Sequence, residues 1–178
     1  MKKIKINDII KKKGKEPIAC LTSYTKNISE ILDKYCDLIL VGDSMSMVLY
    51  GMKHPREIKL DTMILHAKAV KRHTKKSLIV FDMPYKSYEN KNLAYKNAKK
   101  VISQTKCDAI KLEGGKKIFG IIKYLTDKKI PVMGHIGLLP QKVKKFRTQG
   151  KNLKERNRIY NDAISISNSG AFALVIEC

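Results

Sequence analysis

Several features that mark other classes of protein are absent from this sequence or scarce in it. The 178 residues contain no tryptophan, and only 16 acidic side chains stand against 37 basic ones, for a formal net charge of +21. No uncharged apolar run approaches the roughly 18 residues of a membrane-spanning helix. The four cysteines form no CxxC pair and no disulfide framework, which is typical of a reducing compartment. We therefore expect no membrane association and no disulfide bonds.

The basic N-terminal stretch MKKIKINDIIKKK does not continue into an apolar core of about 7 to 15 residues, as a secretory leader would. The sequence therefore predicts a cytoplasmic protein. The apolar content of 43% is too high for a disordered chain and fits one folded domain.

The charge of +21 raises the question of nucleic-acid binding. Lysine is scattered along the chain, and arginine, which is preferred for bidentate contacts with phosphate and guanine, is scarce. Aromatic residues are not interleaved with the basic ones as a base-stacking surface requires. We predict no specific nucleic-acid partner, and a nonspecific polyanion-binding module stays as an alternative.

Short apolar runs rich in β-branched residues alternate with stretches of helical periodicity. The predicted strands are 17–23, 37–44, 77–85, 107–115, 130–137 and 171–178, and the predicted helices are 27–35, 61–72, 91–105, 116–128 and 153–169. Continuous apolar runs are typical of parallel strands that are buried on both faces. This order predicts an α/β protein built from βα units.

Two folds fit this order: an open doubly wound sheet and a (β/α)8 TIM barrel. The first would place GxGxxG after its first strand, where this chain reads LTSYTKN. Polar or ionisable residues instead end the strands: Ser23, Asp43, Ser44, Asp82, Lys111, Glu113, His135 and Glu177. In a barrel these ends meet on the rim where barrel enzymes carry out their chemistry.

Taken singly, each of these residues has a structural explanation as a helix cap, a turn former or half of an ion pair. Together they place four carboxylates in a small space, where they repel one another or take up protons unless a cation binds. Hard oxygen ligands without paired His or Cys favour Mg²⁺. Such an ion could chelate a 2-oxo acid, polarise its ketone and stabilise an enolate, with a nearby carboxylate as base.

Five motifs resemble those of the ketopantoate hydroxymethyltransferase (3-methyl-2-oxobutanoate hydroxymethyltransferase) family, in the same order. They are VGDSMSMVLYG (41–51), FDMPYKSYE (81–89), KLEGG (111–115), GHIGLLPQ (134–141) and LVIEC (174–178). The resemblance implies a TIM (β/α)8 barrel that assembles as a homo-oligomer, a decamer in the family. It implies transfer of a hydroxymethyl group from 5,10-methylenetetrahydrofolate to 3-methyl-2-oxobutanoate, giving 2-dehydropantoate in pantothenate biosynthesis through a Mg²⁺-stabilised enolate.

The resemblance also implies roles for individual residues. Asp43, Asp82 and Glu113 match the Mg²⁺ site, with Glu113 acting through water. The positions that match the substrate site are Asp43, Ser44, Asp82, Lys111 and His135. Glu177 matches the general base that removes the C3 proton.

The chain departs from the family pattern at Ser46, where the family has a glycine that suits a loop with positive φ. The resemblance reaches the sixth strand only, so we expect a single C-terminally truncated barrel domain, 1–178, with a short N-terminal helical segment at 6–13. The alternatives are a catalytically dead truncated remnant and a related barrel of the phosphoenolpyruvate mutase/isocitrate lyase type. Members of that second group carry a reactive cysteine motif on a rim loop, and none of the four cysteines here has that context.

Overall fold

The secondary structure follows the predicted alternation of strands and helices. A computed structural model describes residues 2–143 and 145–178. The strands are β1 (Cys20–Thr22), β2 (Leu38–Val41), β3 (Leu78–Asp82), β4 (Ala109–Glu113), β5 (Val132–Gly137) and β6 (Ala173–Glu177). The helices are α1 (Ile6–Lys11), α2 (Lys26–Tyr35), α3 (Met45–Val48), α4 (Leu60–Arg72), α5 (Lys91–Thr105), α6 (Phe119–Asp127) and α7 (Leu153–Asn168). Short 3-10 turns at Pro55–Glu57 and Gly115–Ile118 precede α4 and α6.

All six strands lie parallel in one sheet, in the order β1-β2-β3-β4-β5-β6. This is the strand order of a β/α barrel, here with six strands in an open half-barrel, and it confirms the predicted fold class. A doubly wound sheet would instead reverse its strand order at a switch point.

Both faces of the sheet are buried because side chains alternate along each strand. On β3, Leu78 and Val80 join the inner cluster of the barrel, whereas Ile79 and Phe81 join the outer cluster beneath the helices. All four are at most 1% exposed. This double burial explains why the strands are continuous apolar runs in the sequence.

Helix α1 closes the end of the sheet opposite the predicted site. Its Ile9 is 1% exposed and packs in the inner cluster with Leu38 and Leu78. The segment before α1 is held by Lys3, whose ammonium group lies 2.9 Å from the Asp108 carboxylate. The N-terminal residues thus form the floor of the barrel and leave the carboxyl ends of the strands open.

Asparagine caps set where two long helices begin. The side chain of Asn90 accepts a hydrogen bond from the N–H of Leu93 at the start of α5, and Asn152 accepts one from Glu155 at the start of α7. Each cap satisfies one of the amide groups that a helix N-terminus leaves unpaired. Within the described residues, no helix has the length and apolar character needed to cross a membrane.

Candidate active site

Seven residues singled out in the sequence line one cavity of about 270 Å³ at the carboxyl end of the sheet. They are Asp43, Ser44, Asp82, Lys111, Glu113, His135 and Glu177. Ser23 is buried beyond β1 and is not among the lining residues. Apolar side chains of Leu40, Met47, Pro55 and Phe146 contribute to the wall. The cavity therefore combines an ionic floor with an apolar side.

The register of the sheet sets which polar groups become neighbours. Asp82 pairs with Lys111 across β3 and β4, Glu113 pairs with His135 across β4 and β5, and Gly137 pairs with Glu177 across β5 and β6. Paired residues of parallel strands point to the same face, so Asp82 meets Lys111 and Glu113 meets His135. His135 lies two residues before Gly137 on the same face of β5, which brings it next to Glu177.

Lys111 and Asp82 form a buried ion pair with 2.5 Å between Nζ and Oδ2. Their side chains are 7% and 3% exposed. Burial alone lowers the pKa of Lys111, but the carboxylates of Asp82, Asp43 and Glu113 outweigh burial and raise it. Lys111 is therefore a permanent cation at the centre of the acidic site.

The carboxyl groups of Asp43 and Glu113 have too little positive charge around them to ionise at their ordinary pKa values. Burial, followed by repulsion from Asp82, raises the pKa of Asp43 to about 7. The same two causes raise the pKa of Glu113 to about 8. Without a further cation, one or both carboxyl groups hold a proton near neutral pH, and a bound cation would favour their ionised forms.

The donor set fits a Mg²⁺ ion. Asp82 Oδ1 is buried and has no hydrogen-bond partner among the described residues, which is the state expected of a ligand atom. Within residues 2–143 and 145–178, no three His, Cys, Asp or Glu side chains are close enough to enclose a metal ion. Mg²⁺ does not require such a cage, since it usually binds through one or two protein carboxylates and keeps its other positions for water and substrate.

His135 lies between two carboxylates. Its Nδ1 is 3.4 Å from Glu113 Oε2, and its Nε2 is 3.2 Å from Glu177 Oε2. The imidazole lowers the pKa of Glu177, an effect that exceeds the opposing effect of partial burial. Glu177 is therefore ionised at neutral pH and able to accept a proton, and its side chain is 42% exposed towards the cavity.

Gly137 fixes the backbone beside Glu177. The next amide, of Leu138, donates a hydrogen bond to the Glu177 carbonyl at 2.6 Å. Gly137 has φ +89, and a Cβ on it would lie 2.0 Å from that carbonyl oxygen. Only glycine allows this close approach of β5 to β6.

Ser44 is held by Tyr24, a residue that the strand-end pattern did not single out. The Tyr24 hydroxyl lies 2.8 Å from Ser44 Oγ, and the Tyr24 carbonyl is 2.7 Å from His66 Nδ1. Tyr24 lies two residues after the end of β1 and two residues before the start of α2, and only this place near a strand end could have indicated it. Residue Ser46, where a loop with positive φ was anticipated, lies instead inside helix α3 and is fully buried.

The description of the family model that matches residues 3–178 is "Ketopantoate hydroxymethyltransferase". The chain belongs to the ketopantoate hydroxymethyltransferase family. It is 52% identical over 174 residues to a 3-methyl-2-oxobutanoate hydroxymethyltransferase of Pelagibacter ubique and 48% identical over 178 residues to one of Anaplasma marginale. These alignments cover 98% of this chain and 68% and 64% of the relatives. The chain thus spans about two thirds of the length of these ketopantoate hydroxymethyltransferases.

Solved structures with the same fold include those of other enzymes. A phosphonopyruvate hydrolase in complex with oxalate and Mg²⁺ matches with a TM-score of 0.73 at 11% identity, covering 97% of this chain and 63% of that one. A 2,3-dimethylmalate lyase of the PEP mutase/isocitrate lyase superfamily matches with a TM-score of 0.62 at 10% identity, covering 90% and 56%. At such low identity the likeness concerns the fold alone. It supports the barrel architecture, and the family is assigned by the sequence relatives.

Proposed function

We propose that this chain carries the oxo-acid half of a ketopantoate hydroxymethyltransferase site. In the complete reaction, a hydroxymethyl group passes from 5,10-methylenetetrahydrofolate to 3-methyl-2-oxobutanoate and gives 2-dehydropantoate. The observation that carries the proposal is the position of Glu177, which lies 3.2 Å from His135 Nε2 and lines the same cavity as Asp43 and Asp82. A base therefore faces the carboxylates that fit Mg²⁺.

Asp43 and Asp82 would hold Mg²⁺, and Glu113 would approach it through water. When bound, this ion would polarise the ketone of the oxo acid and stabilise negative charge on its oxygen. Lys111, which lies beside Asp82, would add a second positive charge at the same end of the cavity. Ser44 supplies a hydroxyl that can bond to the oxo acid while its partner Tyr24 restrains it.

Glu177 would remove the proton from C3 of the substrate, leaving the enolate that attacks the one-carbon donor. A base must be ionised to do this, and a glutamate with a lowered pKa is ionised at neutral pH. The contact with His135 Nε2 at 3.2 Å holds its carboxylate in place. The apolar side chains of Leu40, Met47 and Phe146 on the cavity wall suit the branched alkyl group of this substrate. We also propose that the protein is cytoplasmic, that identical subunits assemble, and that it has no specific nucleic-acid partner.

The half-reaction at C3 tests the proposal without the folate co-substrate. We expect the protein to exchange the C3 proton of 3-methyl-2-oxobutanoate with deuterated water when Mg²⁺ is present, as followed by proton NMR. Glu177→Gln should slow the exchange by about 10²- to 10⁴-fold because the general base is lost. Glu30→Gln, on the exposed face of α2, is the matched control and should leave the rate unchanged.

Two results would contradict the proposal: no exchange from a folded sample, or equal rates for wild type and Glu177→Gln. Phosphonopyruvate serves as the comparison substrate, since a protein of the phosphonopyruvate hydrolase type would consume it. Turnover of phosphonopyruvate without exchange of the oxo acid would favour that alternative chemistry.

A further inference from the structure

Gln141 is a buried polar residue of the rim that the proposed chemistry does not yet use. It follows the loop Leu138–Pro140 after β5 and is only 1% exposed. An amide side chain so far from water is stable only if its donors and acceptor are paired. Its partners therefore indicate why it lies there.

The side-chain amide of Gln141 makes three hydrogen bonds. Nε2 donates to Asp43 Oδ2 at 2.8 Å and to the Met83 carbonyl at 3.0 Å, and the Tyr88 hydroxyl donates to Oε1 at 2.6 Å. The carbonyl of Met83 can only accept, so the nitrogen must be the atom that faces it. This contact fixes the orientation of the amide and directs the second N–H of Nε2 at Asp43.

The backbone of Gln141 holds a second carboxylate of the site. Its N–H donates to Glu113 Oε1 at 2.8 Å. Gln141 alone therefore orients two acidic side chains of the site, Asp43 after β2 and Glu113 at the end of β4. In both carboxylates the bond occupies one oxygen, Oδ2 of Asp43 or Oε1 of Glu113, and leaves the other oxygen for a different partner.

A neutral donor suits this position better than a charged one. Lys or Arg would bring a positive charge that competes with a cation for Asp43, and Glu would add a carboxylate to a cavity that Asp43, Asp82 and Glu113 already line. An amide fixes the geometry of the carboxylate without neutralising it.

We propose that Gln141 is a positioning residue for the cation site, acting through Asp43 and Glu113, and that Tyr88 fixes its orientation. The inference rests on the proposed function, because it takes Asp43 and Glu113 to face the bound Mg²⁺. Groups that orient metal ligands in this way typically change metal affinity by about 10- to 100-fold when they are removed.

The test is a titration of the purified protein with Mn²⁺, with free Mn²⁺ measured by electron paramagnetic resonance, and unfolding of each variant is followed by circular dichroism. Gln141→Met keeps the length of the side chain and removes its polar atoms, and we expect it to weaken Mn²⁺ binding by about 10- to 100-fold. Tyr88→Phe removes one hydroxyl and should weaken binding in the same direction by a smaller factor. Gln104→Met, on the exposed surface of α5, is the matched control and should bind as wild type does.

A role in folding alone would lower the unfolding midpoint of Gln141→Met and leave the Mn²⁺ affinity of its folded form unchanged, and this result would overturn the inference. If Gln141→Met does not fold, Tyr88→Phe decides, and wild-type affinity in that variant would overturn the inference equally. Absence of Mn²⁺ binding in the wild-type protein would refute the proposed metal site itself, and the inference with it. If the wild-type protein binds Mn²⁺ and the variants bind it with the same affinity, only the role of Gln141 is refuted.

Discussion

The ion pair between Lys111 and Asp82 offers the sharpest test of the electrostatics of the site. Lys111→Met removes the ammonium group and keeps most of the length of the side chain. Because the two side chains are 7% and 3% exposed, water can do little to screen the Asp82 carboxylate that remains. Loss of one partner of such a buried pair costs about 3 to 5 kcal/mol.

A double-mutant cycle separates this pair from its surroundings. We expect Lys111→Met and Asp82→Asn each to lower the free energy of unfolding strongly. The double variant leaves no unpaired charge in the pair, so its free energy of unfolding should fall by far less than the sum of the two single effects. We expect a coupling free energy of at least about 2 kcal/mol. Unfolding in urea is followed by circular dichroism, since the chain has no tryptophan.

The surface pair of Lys100 and Asp61 is a matched control. Its separation is also 2.5 Å, but its side chains are 39% and 76% exposed. For an exposed pair of this kind, the coupling free energy should be no more than about 1 kcal/mol. Single effects at Lys111 and Asp82 that add within about 0.5 kcal/mol would refute the reasoning, since a buried pair cannot be energetically independent.

Three further predictions concern the backbone and the pH dependence of the protein. Gly137→Ala should slow C3 exchange at least about tenfold, because the new Cβ would push the backbone of Glu177 away. Gly14→Ala is the control: Gly14 also has a positive φ, +69, but open space surrounds it, so this variant has the backbone strain without the clash and should leave the exchange rate unchanged. Burial raises the pKa of Asp33, but hydrogen bonds from the N–H groups of Ser77, Lys76 and Lys75 outweigh it and lower the pKa below its ordinary value of 3.8. Asp33 therefore stabilises the fold above that ordinary value, and this stability is lost as the pH falls through the lowered pKa. Asp33→Asn should flatten the pH dependence of urea unfolding at acidic pH, and an unchanged dependence would count against the contact. Because the pKa of Asp43 is raised to about 7, cation binding should release protons, and the affinity for the cation should increase as the pH rises through 7. Calorimetric titrations in buffers of different ionisation enthalpy measure this release, and a result of no released protons would contradict the prediction.

The sequence allows the strands and the strand-end residues to be predicted for a clear physical reason. Parallel strands buried on both faces are continuous apolar runs, and a polar residue at the end of such a run must point to the rim. Asp82 at the end of β3 and Glu177 at the end of β6 were found in this way. The register that pairs Asp82 with Lys111 was not predicted, since the sequence suggested only an ion pair between Lys111 and Glu113.

The groups that orient the strand-end residues could not be predicted in the same way. Gln141 and Tyr24 act through contacts with residues 98 and 20 positions away in the chain, and neither residue type indicates a partner by itself. The glycine expectation at Ser46 failed because the segment after β2 forms helix α3, where a serine adopts ordinary helical backbone angles. Loops after strands depend on such long-range contacts, which local periodicity does not contain.

The most direct test of the central claim is the electron paramagnetic resonance spectrum of Mn²⁺ bound at this rim in the presence of 3-methyl-2-oxobutanoate labelled with ¹⁷O at its ketone. If Asp43 and Asp82 hold the cation that polarises the substrate, the label should broaden the Mn²⁺ signal of the wild-type protein, and Asp82→Asn should abolish the broadening. A spectrum identical for labelled and unlabelled oxo acid, with both ligands bound, would contradict the account.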